Sequence, residues 1–269
     1  MLLGGSRCRR LHTQTGRQTK PKGENVFGQD GPLFREEQVR IATYNIHRCI
    51  GRDRRYRPDR IIRVLQEISP DVVGLQEVGT LEDQSIDLLK EIADQVGLPG
   101  CFAGPTMLAS NGEYGNAVLT RLEVSEWDRL DISVASREPR GALKLRLKHP
   151  FGTILLISTH LGLRPYERQT QLKRLLLEFT NARNADCHIL IGDLNEWFFW
   201  GRSLRWLRDM FGVSPSPRTF PSSVPLLALD RIWTRPHTWM GSVRTHRSPL
   251  ARVASDHLPL IADIEPRLR

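Results

Sequence analysis

The segment Cys187–Asn195, with the sequence CHILIGDLN, decides the fold. Its apolar run ends abruptly at Gly192, which is typical of a short buried strand that stops at a turn. Asp193 and Asn195 stand two positions apart, so their side chains point to the same side at the end of that strand. Either they form a functional pair at the rim of a sheet, or they only stabilise a chain reversal as an Asx-turn.

Two earlier segments end in polar residues in the same way. Residues 39–45 alternate and are rich in branched side chains, which predicts a strand that ends at Asn45. Residues 71–78, DVVGLQEV, predict a second strand that ends at Glu77. Pro58 opens and Pro70 closes a helix between them. The carboxyl ends of the two strands are therefore expected to converge on a ligand.

The rest of the chain predicts many strands with interspersed helices. The predicted helices span 83–96, 165–183 and 203–211, and the predicted strands span 114–120, 142–147, 153–159, 226–233 and part of 253–264. This succession indicates two packed sheets flanked by helices.

The length of 269 residues is sufficient for one large domain. Residues 1–38 have scarcely any apolar periodicity and are interpreted as a basic flexible tail, with a folded catalytic domain over 39–269. No apolar run approaches the roughly 18 residues that a membrane span needs, so no transmembrane segment is predicted.

Cysteines and charge restrict the function further. The four cysteines are far apart and form no CxxC pair, which argues against a thiolate zinc site and predicts reduced thiols in the cytoplasm. The net charge of +9 favours an anionic partner such as nucleic acid, anionic lipid or a small phosphorylated compound. Solvated surface arginines explain the same charge.

Polar residues recur at the predicted strand ends and in the turns that follow them. They are Asn45, Glu77, His160, Asp193, Asn195, Asp230, Asp256 and His257. Asparagine and carboxylate oxygens suit Mg²⁺, which keeps several waters and takes further ligands from a phosphate. Histidines flanked by carboxylates suit proton transfer and phosphate binding.

Five short segments together resemble the signatures of the endonuclease/exonuclease/phosphatase superfamily, which has the deoxyribonuclease I-like fold. In chain order they are TYN (43–45), LQEV (75–78), THL (159–161), GDLN (192–195) and SDHLPL (255–260). The resemblance covers about residues 40–264. It implies a four-layered α/β/β/α sandwich of two mixed sheets flanked by helices, with the site at one end of the sheets.

The resemblance also implies a metal site and an acid–base pair. Glu77 is expected to bind the divalent metal, with Asn45 and Asp256 holding it directly or through water. The metal is expected to be Mg²⁺, with Mn²⁺ as an alternative. His257 is expected to be the general base or a donor to the phosphate, with Asp230 orienting its ring.

The remaining implied roles concern water and phosphate. Asp193 is expected to align or deprotonate the attacking water, and Asn195 to donate to a phosphoryl oxygen. His160 is expected to hydrogen-bond the transition state or protonate the leaving oxygen. Whether Asp193 or His257 takes the proton stays open.

Two further residues, Asn116 and Arg140, are nominated as substrate contacts, the alternatives being a turn asparagine and a surface arginine. His47 and His160 stand where abasic-site endonucleases carry other residues, which counts against that activity.

The predicted function is Mg²⁺-dependent phosphodiester hydrolysis with nucleic acid favoured as substrate. The alternatives are a phospholipid or small phosphodiester and, third, an inactive binding scaffold. No obligate protein partner is inferred. A lipid substrate requires an exposed apolar rim, which only the aromatic residues 198–200 could supply. We expect residues 197–200 instead to pack under the adjacent helix, because aromatic side chains usually fill space.

Overall fold

The computed structural model describes residues 38–79, 88–109, 112–182 and 184–266. The predicted tail lies outside these ranges except for Gln38, so its flexibility stays a prediction, as does the boundary of the catalytic domain.

Six strands form the first sheet. Their spatial order is β10 (Met240–Thr245), β11 (Leu260–Ile264), β1 (Val39–Asn45), β2 (Val72–Gly79), β4 (Gly112–Thr120) and β3 (Gly100–Ala109). Strands β1 and β2 are parallel, and the other neighbours are antiparallel. The sheet is therefore mixed.

Five strands form the second sheet. Their spatial order is β5 (Glu123–Asp131), β6 (Gly141–His149), β7 (Gly152–His160), β8 (Cys187–Asp193) and β9 (Asp230–Arg235). Here β7 and β8 are the parallel pair. Each sheet thus contains one parallel pair whose carboxyl ends lie side by side.

Helices cover the outer faces of both sheets. They are α1 (Pro58–Ile68), α2 (Leu88–Val96), α3 (Pro165–Asn181), α4 (Arg202–Phe211) and α5 (Ala251–Ala254). Pro58 occupies the first turn of α1, where its fixed φ is compatible with a helix and its missing N–H is not needed. Among the described residues, none of the helices combines the length and the apolarity that crossing a membrane would take.

Alternation along the strands separates three hydrophobic clusters. In β1, Ile41 faces the space between the sheets, whereas Ala42 and Tyr44 face α1 and α2. In β8, Ile189 and Ile191 face inward and Leu190 packs against α3 and α4. Strands buried on both faces need apolar residues at every position, which explains the continuous run before Gly192. The predicted four-layered sandwich is confirmed.

Gly192 permits a close approach between β8 and β7. Its φ is +143°, and a Cβ atom there would lie 1.9 Å from the carbonyl oxygen of Thr159. Any side chain would clash with backbone that is itself held in a sheet. The glycine of GDLN is thus required by the packing that brings Asp193 beside His160.

The predicted elements differ from the structure mainly at the sheet edges. Strands β3, β5 and β10 were not predicted, and all three are edge strands. Strand β5 is largely exposed and carries five charged residues, so it lacks the apolar pattern of a central strand. The strand predicted over 226–233 is wrong in its first part, because β9 begins at Asp230. Of the helix predicted over 83–96, only residues from Leu88 onward are described.

Candidate active site

The site lies where the two parallel strand pairs end. In the first sheet Asn45 is in register with Gln76, the residue before Glu77. In the second sheet His160 is in register with Asp193, which faces Asp230 on β9. The ends of both sheets therefore deliver polar side chains to one edge of the sandwich.

A β-bulge directs Glu77 into the site. The pairing of β2 with β4 shifts between Leu75 and Val78, and Glu77 adopts a φ of +56°. Asn195 also has a positive φ, of +49°. Such conformations are unfavourable for residues other than glycine and persist where the surrounding structure enforces them. Both residues are among those predicted for the site.

Asn45 links two carboxylates across the sheets. Its buried Nδ2 donates to Glu77 Oε1 at 3.0 Å and to Asp193 Oδ2 at 3.2 Å. Its Oδ1 accepts from the backbone N–H of His47 at 3.1 Å. In this arrangement Asn45 positions the two acids with its nitrogen.

His257 lies between two carboxylates. Its Nδ1 is 2.8 Å from Asp230 Oδ2, and its Nε2 is 3.7 Å from Asp193 Oδ2. The ring also contacts Phe220, with ring centroids 4.9 Å apart. Burial alone lowers the pKa of His257, but the charges of Asp230, Asp193 and Asp256 and the hydrogen bond to Asp230 raise it to about 10. The imidazole is therefore held as the cation at neutral pH.

His160 has the opposite electrostatic environment. Its Nδ1 lies 3.1 Å from Arg140 Nη1, and its Nε2 lies 3.6 Å from Asp193 Oδ2. Burial, together with the positive charges of Arg140 and His257, lowers the pKa of His160 to about 4 despite the carboxylate of Asp193. The two histidines thus carry different charges at neutral pH.

Asn195 lies beside His160. Its Nδ2 donates to the Leu161 carbonyl at 2.9 Å and is 3.1 Å from His160 Nε2, and its backbone N–H donates to Asp193 Oδ1. The last of these bonds is the Asx-turn considered from the sequence. Asp193 forms this turn with Oδ1 and faces Asn45 and the two histidines with Oδ2, so the turn and the cluster of polar groups occur together.

Asp256 lies at the open side of the site. Its side chain is 37% exposed, and Oδ1 lies 3.3 Å from Ser255 Oγ and 3.9 Å from His47 Nδ1. No ion pair joins Asp256 or Glu77 to a lysine or arginine within the described ranges. Two carboxylates without a lysine or arginine partner among the described residues are available at this edge to bind a cation.

A group of three side chains also has spacing compatible with a divalent cation. Ligand atoms of Asp193, Asp230 and His257 lie within 4.8 Å of one another. The buried Oδ1 of Asp230 makes no hydrogen bond with any described residue. This group differs from the predicted metal set of Asn45, Glu77 and Asp256.

The two nominated substrate contacts occupy different positions. Arg140 is buried at the pocket wall, where Nη2 donates to Glu138 Oε2 at 3.0 Å. Asn116 is not among the residues that line the pocket, and its Nδ2 donates to the Gly141 carbonyl at 3.0 Å. It therefore supports the chain next to Arg140.

The pocket that contains these groups has a volume of about 380 Å³ and two kinds of wall. The polar wall consists of Glu77, Glu138, Arg140, His160, Asp193, Asn195 and His257. The apolar wall consists of Tyr114, Leu163, Trp197, Phe220, Leu227 and Leu229. The pocket thus combines hydrogen-bonding and charged groups with apolar surface.

The expectation that residues 197–200 pack under the neighbouring helix is wrong. Trp197 is 49% exposed, Phe198 47%, Phe199 60% and Trp200 73%. The core beneath α4 is filled instead by Leu204, Leu207 and Phe211. Aromatic content alone did not distinguish a core segment from a surface loop.

Some residues of the site were not found from the sequence. Glu138 pairs with Arg140 and stands two residues before it, so an acid next to the nominated arginine was an available signal. Phe220 and Leu227 reach the pocket from a loop, where no periodicity marks their position.

Comparisons with known proteins agree with this geometry. The family model described as Endonuclease/Exonuclease/phosphatase family matches residues 42–257. The uncharacterized protein YbhP of Escherichia coli (strain K12) is 29% identical over 247 residues, covering 84% of this chain and 95% of YbhP.

Solved structures share the fold. An endonuclease/exonuclease/phosphatase from Beutenbergia cavernae DSM 12333 superposes with a TM-score of 0.69 at 21% identity, covering 85% of this chain and 72% of that one. D. rerio TDP2, solved in complex with a single-strand DNA product, gives a TM-score of 0.62 at 17% identity, covering 85% and 99%. The family model spans most of the sequence and includes each element that ends in the pocket, so the chain belongs to the endonuclease/exonuclease/phosphatase family of hydrolases.

Proposed function

We propose that the protein is a divalent-metal-dependent phosphodiesterase whose reaction occurs in the two-walled pocket. The observation that carries the proposal is the contact of one amide, Asn45 Nδ2, with both Glu77 and Asp193, beside the Asp193–His257–Asp230 group. Membership of the family supplies the reaction class.

The donor set fits a hard divalent cation. Glu77 and Asp256 offer carboxylate oxygens that pair with no lysine or arginine among the described residues, and Mg²⁺ and Mn²⁺ prefer such oxygen ligands. We assign the ion to Glu77 and Asp256, with Asn45 orienting Glu77. When bound, the ion neutralises charge on the phosphoryl oxygens. We do not assign it to the Asp193–Asp230–His257 group, because both nitrogens of His257 face carboxylates and carry protons there.

The chain's own residues then stabilise the transition state. Asp193 lies beside both histidines and aligns the attacking water as its proton acceptor. His257, held between Asp230 and Asp193, donates to a phosphoryl oxygen, and Asn195 donates a second hydrogen bond. These groups are directed at oxygens that gain charge as the water attacks, so they stabilise the transition state more than the ground state.

His160 acts as a neutral donor near the leaving oxygen. Arg140 donates to Nδ1, so in the neutral ring Nε2 carries the hydrogen. Because Asn195 Nδ2, a second donor, lies 3.1 Å from Nε2, the Asn195 amide has to turn away for Nε2 to donate to the substrate. The nominated substrate contacts, Arg140 and Asn116, are thereby proposed to act through His160 and through the Gly141 backbone.

The polar wall of the pocket does not by itself restrict the substrate to nucleic acid. The preference for nucleic acid derives from the net charge of +9, whereas the residues lining the pocket include one arginine against three carboxylates. A cytoplasmic location is proposed from the cysteine pattern. Cys49 and Cys187 are not nucleophiles, since burial raises the pKa of each thiol to about 12.

The test measures hydrolysis of a generic aryl phosphodiester and nicking of plasmid DNA in Mg²⁺, with EDTA and His257→Ala as controls. Ester hydrolysis that disappears in both controls supports the proposal. Nicking with the same dependence extends it to nucleic acid. Ester hydrolysis that survives EDTA, or that His257→Ala leaves unchanged, contradicts it.

A further inference from the structure

Four consecutive aromatic side chains are exposed beside the pocket. Residues 197–200 expose between 47% and 73% of their surface, although tryptophan and phenylalanine side chains are largely buried in most folded proteins. They follow β8 and the GDLN segment, from which Glu196 separates them. Exposed apolar side chains in a continuous group indicate an interaction site, whereas scattered ones do not.

Two further exposed apolar side chains follow β7. Leu163, in the loop, is 57% exposed, and Tyr166, in the first turn of α3, is 72% exposed. We call these two residues together with residues 197–200 the aromatic rim. Leu163 and Trp197 also line the pocket, so the rim and the pocket share a border.

A buried ion pair fixes the two loops of the rim to each other. Arg168 Nε and Nη2 donate to the two carboxylate oxygens of Glu196 at 3.2 and 3.1 Å, and Nη1 donates to the Leu163 carbonyl at 2.6 Å. Both side chains are almost fully buried. Breaking such a pair is costly, so the rim is held in its exposed position by the fold.

Arginines flank the rim. Arg202, Arg205 and Arg208 recur every three residues on the exposed side of α4, and Arg164 follows Leu163. Within the described ranges none of the four forms an ion pair with a carboxylate. Positive charge beside exposed Trp, Phe and Leu side chains matches an anionic lipid surface, where the apolar groups enter the headgroup region.

A single-stranded nucleic acid fits the rim less well. Base stacking needs free ring faces, but Phe198 and Trp200 lean against each other with centroids 5.6 Å apart at 41°. Two rings in mutual contact leave no room for a base between them. Leu163 has no ring face at all, whereas it contributes fully to a lipid interface.

We propose that the aromatic rim docks on a bilayer containing anionic phospholipid, so that the pocket acts on a phosphodiester presented at that surface. Docking concerns the rim alone, and the substrate class rests on the proposed hydrolysis of phosphodiesters. The apolar wall of the pocket, which includes Leu163 and Trp197, then accepts the part of the substrate nearest the acyl chains.

The experiment measures co-sedimentation with vesicles of equal phosphatidylglycerol and phosphatidylcholine, and with pure phosphatidylcholine. The test variant combines Phe199→Ser and Trp200→Ser, neither of which lines the pocket. The matched control is Leu177→Ser, because Leu177 is 60% exposed, like Phe199, but lies about 16 Å further along α3 than Tyr166.

Wild type and Leu177→Ser are expected to bind the anionic vesicles, and the rim variant to bind at least about 10-fold more weakly. Pure phosphatidylcholine is expected to bind wild type more weakly than the anionic mixture. Equal binding by wild type and the rim variant, or no binding by wild type, overturns the inference. Rim-dependent binding of a single-stranded oligonucleotide without vesicle binding overturns it in favour of nucleic acid.

Hydrolysis of the soluble aryl ester separates this inference from the proposed function. Ester hydrolysis without vesicle binding rejects the rim as a membrane site and leaves the phosphodiesterase intact. If vesicle binding depends on the rim but the protein does not hydrolyse the aryl ester in Mg²⁺, the docking surface is retained and the proposed hydrolysis of soluble phosphodiesters is rejected.

Discussion

The guanidinium of Arg140 donates to the imidazole of His160, with Nη1 lying 3.1 Å from Nδ1. An arginine is always protonated, so the nitrogen that faces it must accept and cannot carry a hydrogen. Together with burial, the contact favours a neutral His160 whose hydrogen is on Nε2. The equivalent contact at His257 is with a carboxylate, Asp230, and has the opposite effect.

We expect removal of the guanidinium to change the tautomer. In wild type, ¹⁵N NMR should show His160 neutral with its hydrogen on Nε2. In Arg140→Met, Nδ1 can carry the hydrogen, so the Nδ1–H tautomer becomes populated. The pKa of His160 rises from about 4, because the positive charge of Arg140 no longer lowers it, although burial still does. Phosphodiester hydrolysis is expected to fall about 10- to 100-fold. Arg121→Met, which removes a partly buried arginine outside the pocket, is the control, and an Nδ1–H tautomer in wild type would contradict the assignment.

The pair of His257 and Asp230 should behave as one unit in catalysis. We expect His257→Gln to lower kcat by about 10²- to 10⁴-fold and Asp230→Asn by a similar factor, with the double variant no worse than His257→Gln alone. Steady-state kinetics on the aryl ester measure this. His246→Gln is a matched control, since His246 pairs with Glu67 at 2.6 Å outside the pocket. Additive losses in the double variant would show that the residues act separately.

The pH dependence of stability without metal should have its maximum near pH 6.5. The pKa of His257 is about 10 in the folded protein against 6.5 when unfolded, so its stabilisation is complete below pH 6.5 and is lost as the pH rises through 10. The pKa of His160 is about 4 when folded, so the unfolded state takes up a proton first and stability falls from pH 6.5 towards 4.

Urea unfolding in EDTA across this range provides the measurement. His257→Gln should remove the decline between pH 6.5 and about 9, above which the buried thiols of Cys49 and Cys187 ionise first in the unfolded state. His160→Gln should reduce the decline below pH 6.5. Unchanged slopes in these variants would contradict the pKa directions assigned to the two histidines.

Metal binding should depend on Glu77. We expect Glu77→Gln to weaken Mg²⁺ binding by more than about 10-fold, and Asn45→Ala by about 10- to 100-fold, the usual effect of losing a group that orients a ligand. Calorimetric titration measures both, with Glu123→Gln as an exposed control. The rise in Tm on adding Mg²⁺ should disappear in Glu77→Gln. Full affinity in that variant would exclude Glu77 as a ligand.

Gly192 should tolerate no side chain. Because a Cβ atom would lie 1.9 Å from the Thr159 carbonyl oxygen, Gly192→Ala is expected to cost more than about 3 kcal/mol of unfolding free energy. Gly97→Ala is the matched control, since its φ is also positive, +73°, but no atom lies within 4 Å of the added Cβ. It should cost about 1 kcal/mol. Urea denaturation compares the two variants. Equal losses of unfolding free energy would mean that the positive φ, and not the clash with Thr159, causes the destabilisation.

The sequence by itself determined the sandwich and predicted which polar residues lie together at one edge of it. Buried strands need apolar residues at every position, so the segments before Asn45, Glu77 and Asp193 stand out from their surroundings. Strand β5 faces solvent and carries charged residues along its length, so it lacks the apolar pattern that marks a strand, and it was not predicted. The edge strand β9 is buried along most of its length and was predicted in part.

Only the tertiary structure decided how the site residues are charged and what surrounds them. The resemblance implied Asp230 as the partner of His257, but nothing in the sequence indicated that Arg140 would contact His160. Burial and the sign of these partner charges together set the protonation states. The exposure of residues 197–200 could not be predicted from the sequence either, because it depends on residues of α4 filling the core under that helix. Burial and charge depend on distances between segments that local patterns do not contain.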